Sequence, residues 1–186
     1  VWAFENLGGG NFRKHIVAGT SNFDFGSAGL VMTDLDRDGK PDLLWVAGDN
    51  LEIRYPHPQP WHGCIWLRNL GGWKFEPKRI GTLGGTYAAA AGDLDGDGDL
   101  DVVLVSMFND WRKPGGAASV VWLENDGKQN FTARQIADRP THLATVAVGD
   151  LNGDGRADIV AGGFHILEPF DRIGRITTWT SRKGPP

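Results

Sequence analysis

The chain has 186 residues, 27 of them Gly and 10 Pro, with 40% hydrophobic residues and a formal net charge of −4. Its Gly and Pro load argues against a helix bundle, and no apolar run approaches the ~18 residues of a membrane helix. Eight Trp and nine Phe argue against disorder, and the lack of any basic run argues against nucleic acid as a partner.

The acids are divided unevenly, 18 Asp against 5 Glu, which points to loops rather than helix surfaces. Cys64 is alone, so no intrachain disulfide forms. It adjoins Trp66 in an apolar segment and reads as buried and inert. The sequence begins at Val1 without an initiator Met or signal peptide, the expectation for a processed or truncated product.

Residues 1–17 hold WAFENLGGGNFRKHI from Trp2, which reads as two short strands around a Gly-rich turn. Residues 28–80 read as four strands: GLVMTD, DLLWVAG after the acidic string DLDRDGKPD, and two more in WLRNLGGWKFEPKRI from Trp66. Residues 86–136 repeat this order with AAAAGD, DLDGDGDLD, DVVLVSM and WLENDGKQNFTARQI from Trp122. Residues 142–182 begin it again with TVAVGD, DLNGDGRAD and DIVAGGF, and a last Trp179 stands in ITTWTS. The Trp-to-Trp steps are 64, 56 and 57 residues, and helical periodicity is absent. The fold expected is all-β, a propeller of four-stranded antiparallel blades with about three blades in this chain.

Spacing sharpens this reading. From each Trp to the Ile closing its hairpin (Ile16, Ile80, Ile136) the offset is 14, and each acidic string spans 8. The other two segments vary: 18, 13 and 14 residues from Ile to the first Asp, and 24, 21 and 21 from the last Asp to the next Trp. In an antiparallel meander those variable connections share one end of the blade, the usual place for binding. The four Trp are expected in register as inter-blade core.

The acidic strings read as metal loops. Positions 1, 3 and 5 of a tight loop converge their oxygens, Gly at position 6 permits the turn, the carbonyl of position 7 joins, and Asp at position 9 closes the shell. The expected ligands are Asp34, Asp36, Asp38 and Asp42 with the Lys40 carbonyl; Asp93, Asp95, Asp97 and Asp101 with the Asp99 carbonyl; and Asp150, Asn152, Asp154 and Asp158 with the Arg156 carbonyl. Six or seven hard oxygens suit Ca²⁺ at ~2.3–2.6 Å. The third loop, one charge poorer, is expected to bind most weakly. Three Ca²⁺ would move the formal charge from −4 to about +2. Position 12 is Trp45, Leu104 or Ala161, so these are not EF-hands, which carry Glu there.

GDLDGDGDLDVVLV and VGDLNGDGRADIVAGG resemble FG-GAP/VCBS-type β-propeller repeats, also seen in integrin α-subunit heads. The resemblance covers nearly the whole chain. It implies Ca²⁺ in the strand 1–2 loops of secreted or surface proteins, extracellular or periplasmic. The Gly before the first Asp is kept as Gly92 and Gly149, whereas the first repeat has Met32-Thr33. Function does not travel with this fold.

About 13 strands fall short of the ~16 of a four-bladed ring. The chain is therefore expected to be an arc of a larger propeller, or to be completed by further copies in an oligomer or polymer. The variable 2–3 loops carry Tyr55, His57, Trp61 and His62, then Trp111 and Arg112, then His165 and Phe170. Aromatic rings beside charged groups suit a protein or glycan partner, or they pack against neighbouring blades. The leading expectation is a non-catalytic module for binding or assembly. The alternative is the propeller of a carbohydrate-active enzyme, of polysaccharide lyase or sugar dehydratase type, with His57, His62 or His165 as base.

Overall fold

The computed structural model describes residues 1–22, 24–49, 57–112, 116–163 and 175–182. Every regular element among them is a strand. These are β1 (Trp2–Gly8), β2 (Asn11–Ile16), β3 (Ser27–Thr33), β4 (Asp42–Ala47), β5 (Gly63–Gly71), β6 (Lys74–Gly81), β7 (Thr86–Gly92), β8 (Asp101–Ser106), β9 (Val120–Asn125), β10 (Phe131–Ala137), β11 (Leu143–Gly149), β12 (Asp158–Gly163) and β13 (Ile176–Trp179). They form four antiparallel sheets in chain order: β1-β2, β3-β4-β5-β6, β7-β8-β9-β10 and β11-β12-β13. The fold is all-β and its sheets are up-and-down meanders of blade type; none closes on itself. Among the described residues no helix is long and apolar enough to cross a membrane.

The core lies between successive sheets. Leu44, Val46, Cys64 and Trp66 meet Ala89, Val102, Leu104, Val121 and Leu123. On the other side Val103, Val105 and Val120 meet Leu143, Ile159 and Ala161. Strand β8 thus sends alternate residues into two cores, and Val102, Val103, Leu104 and Val105 are all 0% exposed. A strand buried on both faces reads as a continuous apolar run rather than an alternation, which is why DVVLV has no polar break.

At the end opposite the acidic loops, the segment leading into β7 is pinned to the end of β8 in the same sheet. Met107 donates its backbone N–H to the Gly85 carbonyl at 2.9 Å, and the Ser106 hydroxyl donates to the Gly84 carbonyl at 2.5 Å. Gly85 has φ +62, and a Cβ there would sit 1.7 Å from the Phe108 carbonyl oxygen, so no side chain fits. The variable connections meet at this end, and the acidic loops meet the β5–β6 and β9–β10 turns at the other.

The four Trp are not in register. Trp66 pairs with Lys78 and Trp122 with Arg134, whereas Trp2 pairs with Ile16. The turn residues Asn6 and Asn69 are equivalent, pairing with Phe12 and Phe75. On that alignment Ala3, not Trp2, matches Trp66. One residue is gained before the turn and one lost after it, so the constant offset of 14 conceals a slip on both strands. Because side chains alternate, a one-residue slip turns Trp2 and Ile16 to the opposite face. They are 61% and 74% exposed, where Trp66 and Ile80 are buried. Trp179 is displaced the other way: it pairs with Ile159, as Leu123 pairs with Val102, and packs on the second core.

Candidate metal centre

Each acidic loop connects the first two strands of its sheet: β3 to β4, β7 to β8, β11 to β12. The position 6 glycines Gly39, Gly98 and Gly155 have φ of 86°, 97° and 82°, a region costly for other residues. The first Asp gathers the backbone amides of the turn. Asp34 accepts from the N–H of Asp38 and Gly39, both at 3.0 Å; Asp93 from Gly96 at 2.7 Å and Gly98 at 3.1 Å; Asp150 from Gly153 at 2.7 Å and Gly155 at 2.8 Å. These amide donors hold the Asp150 carboxyl below the usual carboxylate range.

The position 9 Asp performs a second task that the sequence did not announce. Asp42, Asp101 and Asp158 are 0%, 1% and 1% exposed. In each, Oδ2 accepts the N–H of position 2, from Leu35 at 3.2 Å, Leu94 at 3.0 Å and Leu151 at 3.2 Å. Oδ1 accepts an N–H from the third strand or the residues after it, from Asn69 at 2.7 Å, Asn125 at 2.8 Å and Ser181 at 2.9 Å. The Asn side chains complete the stitch by donating to the Pro41 carbonyl at 2.8 Å and the Leu100 carbonyl at 3.1 Å. Burial raises the Asp42 and Asp101 carboxyls despite these donors. Asn69 and Asn125 each stand three residues after a repeat Trp, the signal that could have exposed them.

In the first two loops oxygens from positions 1, 3 and 9 converge. Ligand atoms of Asp34, Asp36 and Asp42 lie within 4.8 Å of one another, as do those of Asp93, Asp95 and Asp101. Either cluster could hold a metal ion. Position 5 points elsewhere in two loops: Asp38 accepts from Lys40 Nζ at 2.7 Å and Asp154 from the Arg156 guanidinium at 2.5 Å. The Lys40 bond lowers the Asp38 carboxyl. The donor chemistry fits a hard cation, because the Asp36 side chain is 4% exposed and its Oδ1 is buried with no hydrogen-bond partner. In the second loop burial, then Asp97 and Asp101, raise the Asp99 carboxyl to about 6.

At the opposite end, most described residues of the 2–3 loops are engaged in packing. Trp61 donates its indole N–H to the Asp24 carbonyl at 3.0 Å. His62 is 2% exposed, and its Nδ1 accepts the N–H of Gly85 at 2.9 Å and Gln59 at 3.2 Å. Burial, then the Arg79 charge, lower the His62 imidazole to about 4, so it is neutral with its proton on Nε2. Arg79 donates to the carbonyls of His62, Trp61 and Pro60, clamping the segment from beneath. Trp111 and Phe108 flank the His142 ring at centroid distances of 6.1 and 6.5 Å. His57 and Arg112 are exposed. Tyr55, His165 and Phe170 lie outside the described residues. Cys64 is fully buried and its thiol is pushed up to about 12, which leaves it unreactive.

The sequence is similar to that of known proteins. A T-cell immunomodulatory protein homolog of Plasmodium falciparum (isolate 3D7) is 26% identical over 143 residues, which is 70% of this chain and 18% of that protein. The chain therefore spans less than a fifth of that relative's length. The profile of the FG-GAP-like repeat matches residues 61–104 and 106–161. With the meander sheets and the acidic loop between the first two strands of each, that match over more than half its length places the chain in the FG-GAP-like repeat family.

Proposed function

We propose that this chain is a Ca²⁺-stabilised propeller module that acts by binding, outside the cell or at its surface, and carries no chemistry of its own. The observation that carries this reading is the buried, unpartnered Asp36 oxygen within a repeated loop of converging carboxylates. Carboxylates held this close repel one another unless a cation is shared. Asp34, Asp36, Asp42 and the Lys40 carbonyl would hold one Ca²⁺, with Asp38 turning in from Lys40; Asp93, Asp95, Asp97, Asp101 and the Asp99 carbonyl a second; Asp150, Asn152, Asp158 and the Arg156 carbonyl a third, with Asp154 turning in from Arg156. The ion supplies fixed positive charge. The chain supplies the frame, because each position 9 Asp already ties its loop to the third-strand side of the sheet.

The binding face is the end with the variable connections, where His57 and Arg112 are exposed beside packed aromatic residues. Its partner is a protein or a glycan, and further copies of the chain are a third class of partner. Melting followed by circular dichroism tests the metal reading. Chelator should lower Tm by more than ~3 °C, about the shift that 1 kcal/mol gives a domain of this size. Added Ca²⁺ should restore it and Mg²⁺ should not. Equal Tm in chelator and in Ca²⁺ would remove the basis for the proposal.

A further inference from the structure

The three loops differ in what already neutralises them. In the first, Arg68 reaches back from β5 to Asp36, with Nε 2.6 Å from Oδ2, and its second guanidinium nitrogen lies 3.9 Å from Asp38. Lys40 adds a contact to Asp38 at 2.7 Å. In the third, Arg156 binds Asp154 at 2.5 Å and the Ser181 hydroxyl at 3.2 Å. The second loop has Asp99 where these loops have Lys40 and Arg156. It also has Glu124 at the position of Arg68, since each lies two residues after the repeat Trp. Glu124 in turn engages Arg134. Among the described residues none of the five carboxylates of the second loop forms an ion pair, and the Asp99 Oδ1 is buried without a partner.

We propose that the loops are graded by resident cations. The second loop requires Ca²⁺, whereas Arg68 is a built-in counter-ion that holds the first loop together without metal and competes with Ca²⁺ for Asp36. This rests on the calcium reading above and deepens it. The physical ground is that Arg68 uses the Asp36 carboxylate as its acceptor. The partner oxygen of that carboxylate is the buried, unpaired one, so a metal entering the loop must share the group with the guanidinium or displace it. Formal charge on the ligands alone ranks the first two loops together; the resident cations separate them.

The test is a Ca²⁺ titration of the full chain, followed through the amide resonances of Gly39, Gly98 and Gly155, one reporter in each loop. In the unaltered protein Gly98 should respond at the lowest Ca²⁺ concentration. Arg68→Met keeps the aliphatic stem and removes the charge; it should tighten the response of Gly39 roughly tenfold, the scale of one lost charge-assisted bond. It should also lower Tm in chelator and enlarge the recovery on adding Ca²⁺. Arg68→Lys should stay close to the unaltered protein in both respects, which separates charge from a packing defect. An unchanged or weaker Gly39 response in Arg68→Met, while Gly98 still titrates, would overturn the role of Arg68 and leave the calcium reading standing. Gly39 responding ahead of Gly98 in the unaltered protein would overturn the grading. No response at any of the three glycines would overturn both.

Discussion

At the scale of single residues, the acidic strings contain two kinds of Asp with different work. Asp101 is buried and holds two backbone amides, so Asp101→Ala strands both donors. Its expected cost is about 2–4 kcal/mol in chelator as well as in Ca²⁺. Asp97 is exposed and accepts one amide, from Asp99 at 3.0 Å. Asp97→Ala should therefore cost little in chelator and should reduce the gain from Ca²⁺. Urea denaturation in both conditions separates the two. His62 gives a pH signature of its own. Its folded pKa of about 4 lies below the ordinary 6.5, so the unfolded chain takes up the proton first. Stability should be complete above pH 6.5 and fall between there and about 4, by at most ~3 kcal/mol. His62→Asn keeps an acceptor for the two amides and should flatten that slope in denaturation curves recorded across pH.

At the scale of elements, β8 carries the cohesion of the stack because both its faces are core. Leu104→Ala removes side-chain volume from a 0% exposed site between two four-stranded sheets. A loss of about 2–5 kcal/mol is expected in urea denaturation. The acidic loops and the strand order were legible in the sequence, since Asp, Gly and apolar runs recur at fixed spacing and each has one local meaning. The register of Trp2 was not. Its offset of 14 to Ile16 matches the other repeats only because an insertion before the turn cancels a deletion after it. Turn pairing, not residue identity, sets the face. Arg68 was illegible for a different reason: its partner Asp36 is 32 residues away in the chain, and only strand pairing brings β5 beside that loop. The aromatic residues of the variable loops suited either a partner or packing, and of the described ones Trp61, with the adjoining His62, is tied to backbone groups of other segments.

At the scale of the whole molecule, the slip at Trp2 has a consequence for association. Trp2, Phe4, Phe12 and Ile16 share one face of the β1–β2 hairpin and are 61%, 59%, 59% and 74% exposed. The isolated chain should cover that face by self-association, and Trp2→Glu with Phe4→Glu should shift light-scattering mass toward the monomer. An unshifted mass would place the association elsewhere. Cations shared among the carboxylates would fix the acidic loops onto sheets that are already stitched. Hydrogen exchange tests it most directly. Ca²⁺ should slow exchange at the amides of Gly96 and Gly98 strongly and at those of Gly39 and Gly155 less, while amides within β8 keep their protection in chelator. Identical exchange at all three loops with and without Ca²⁺ would mean that no cation fixes them.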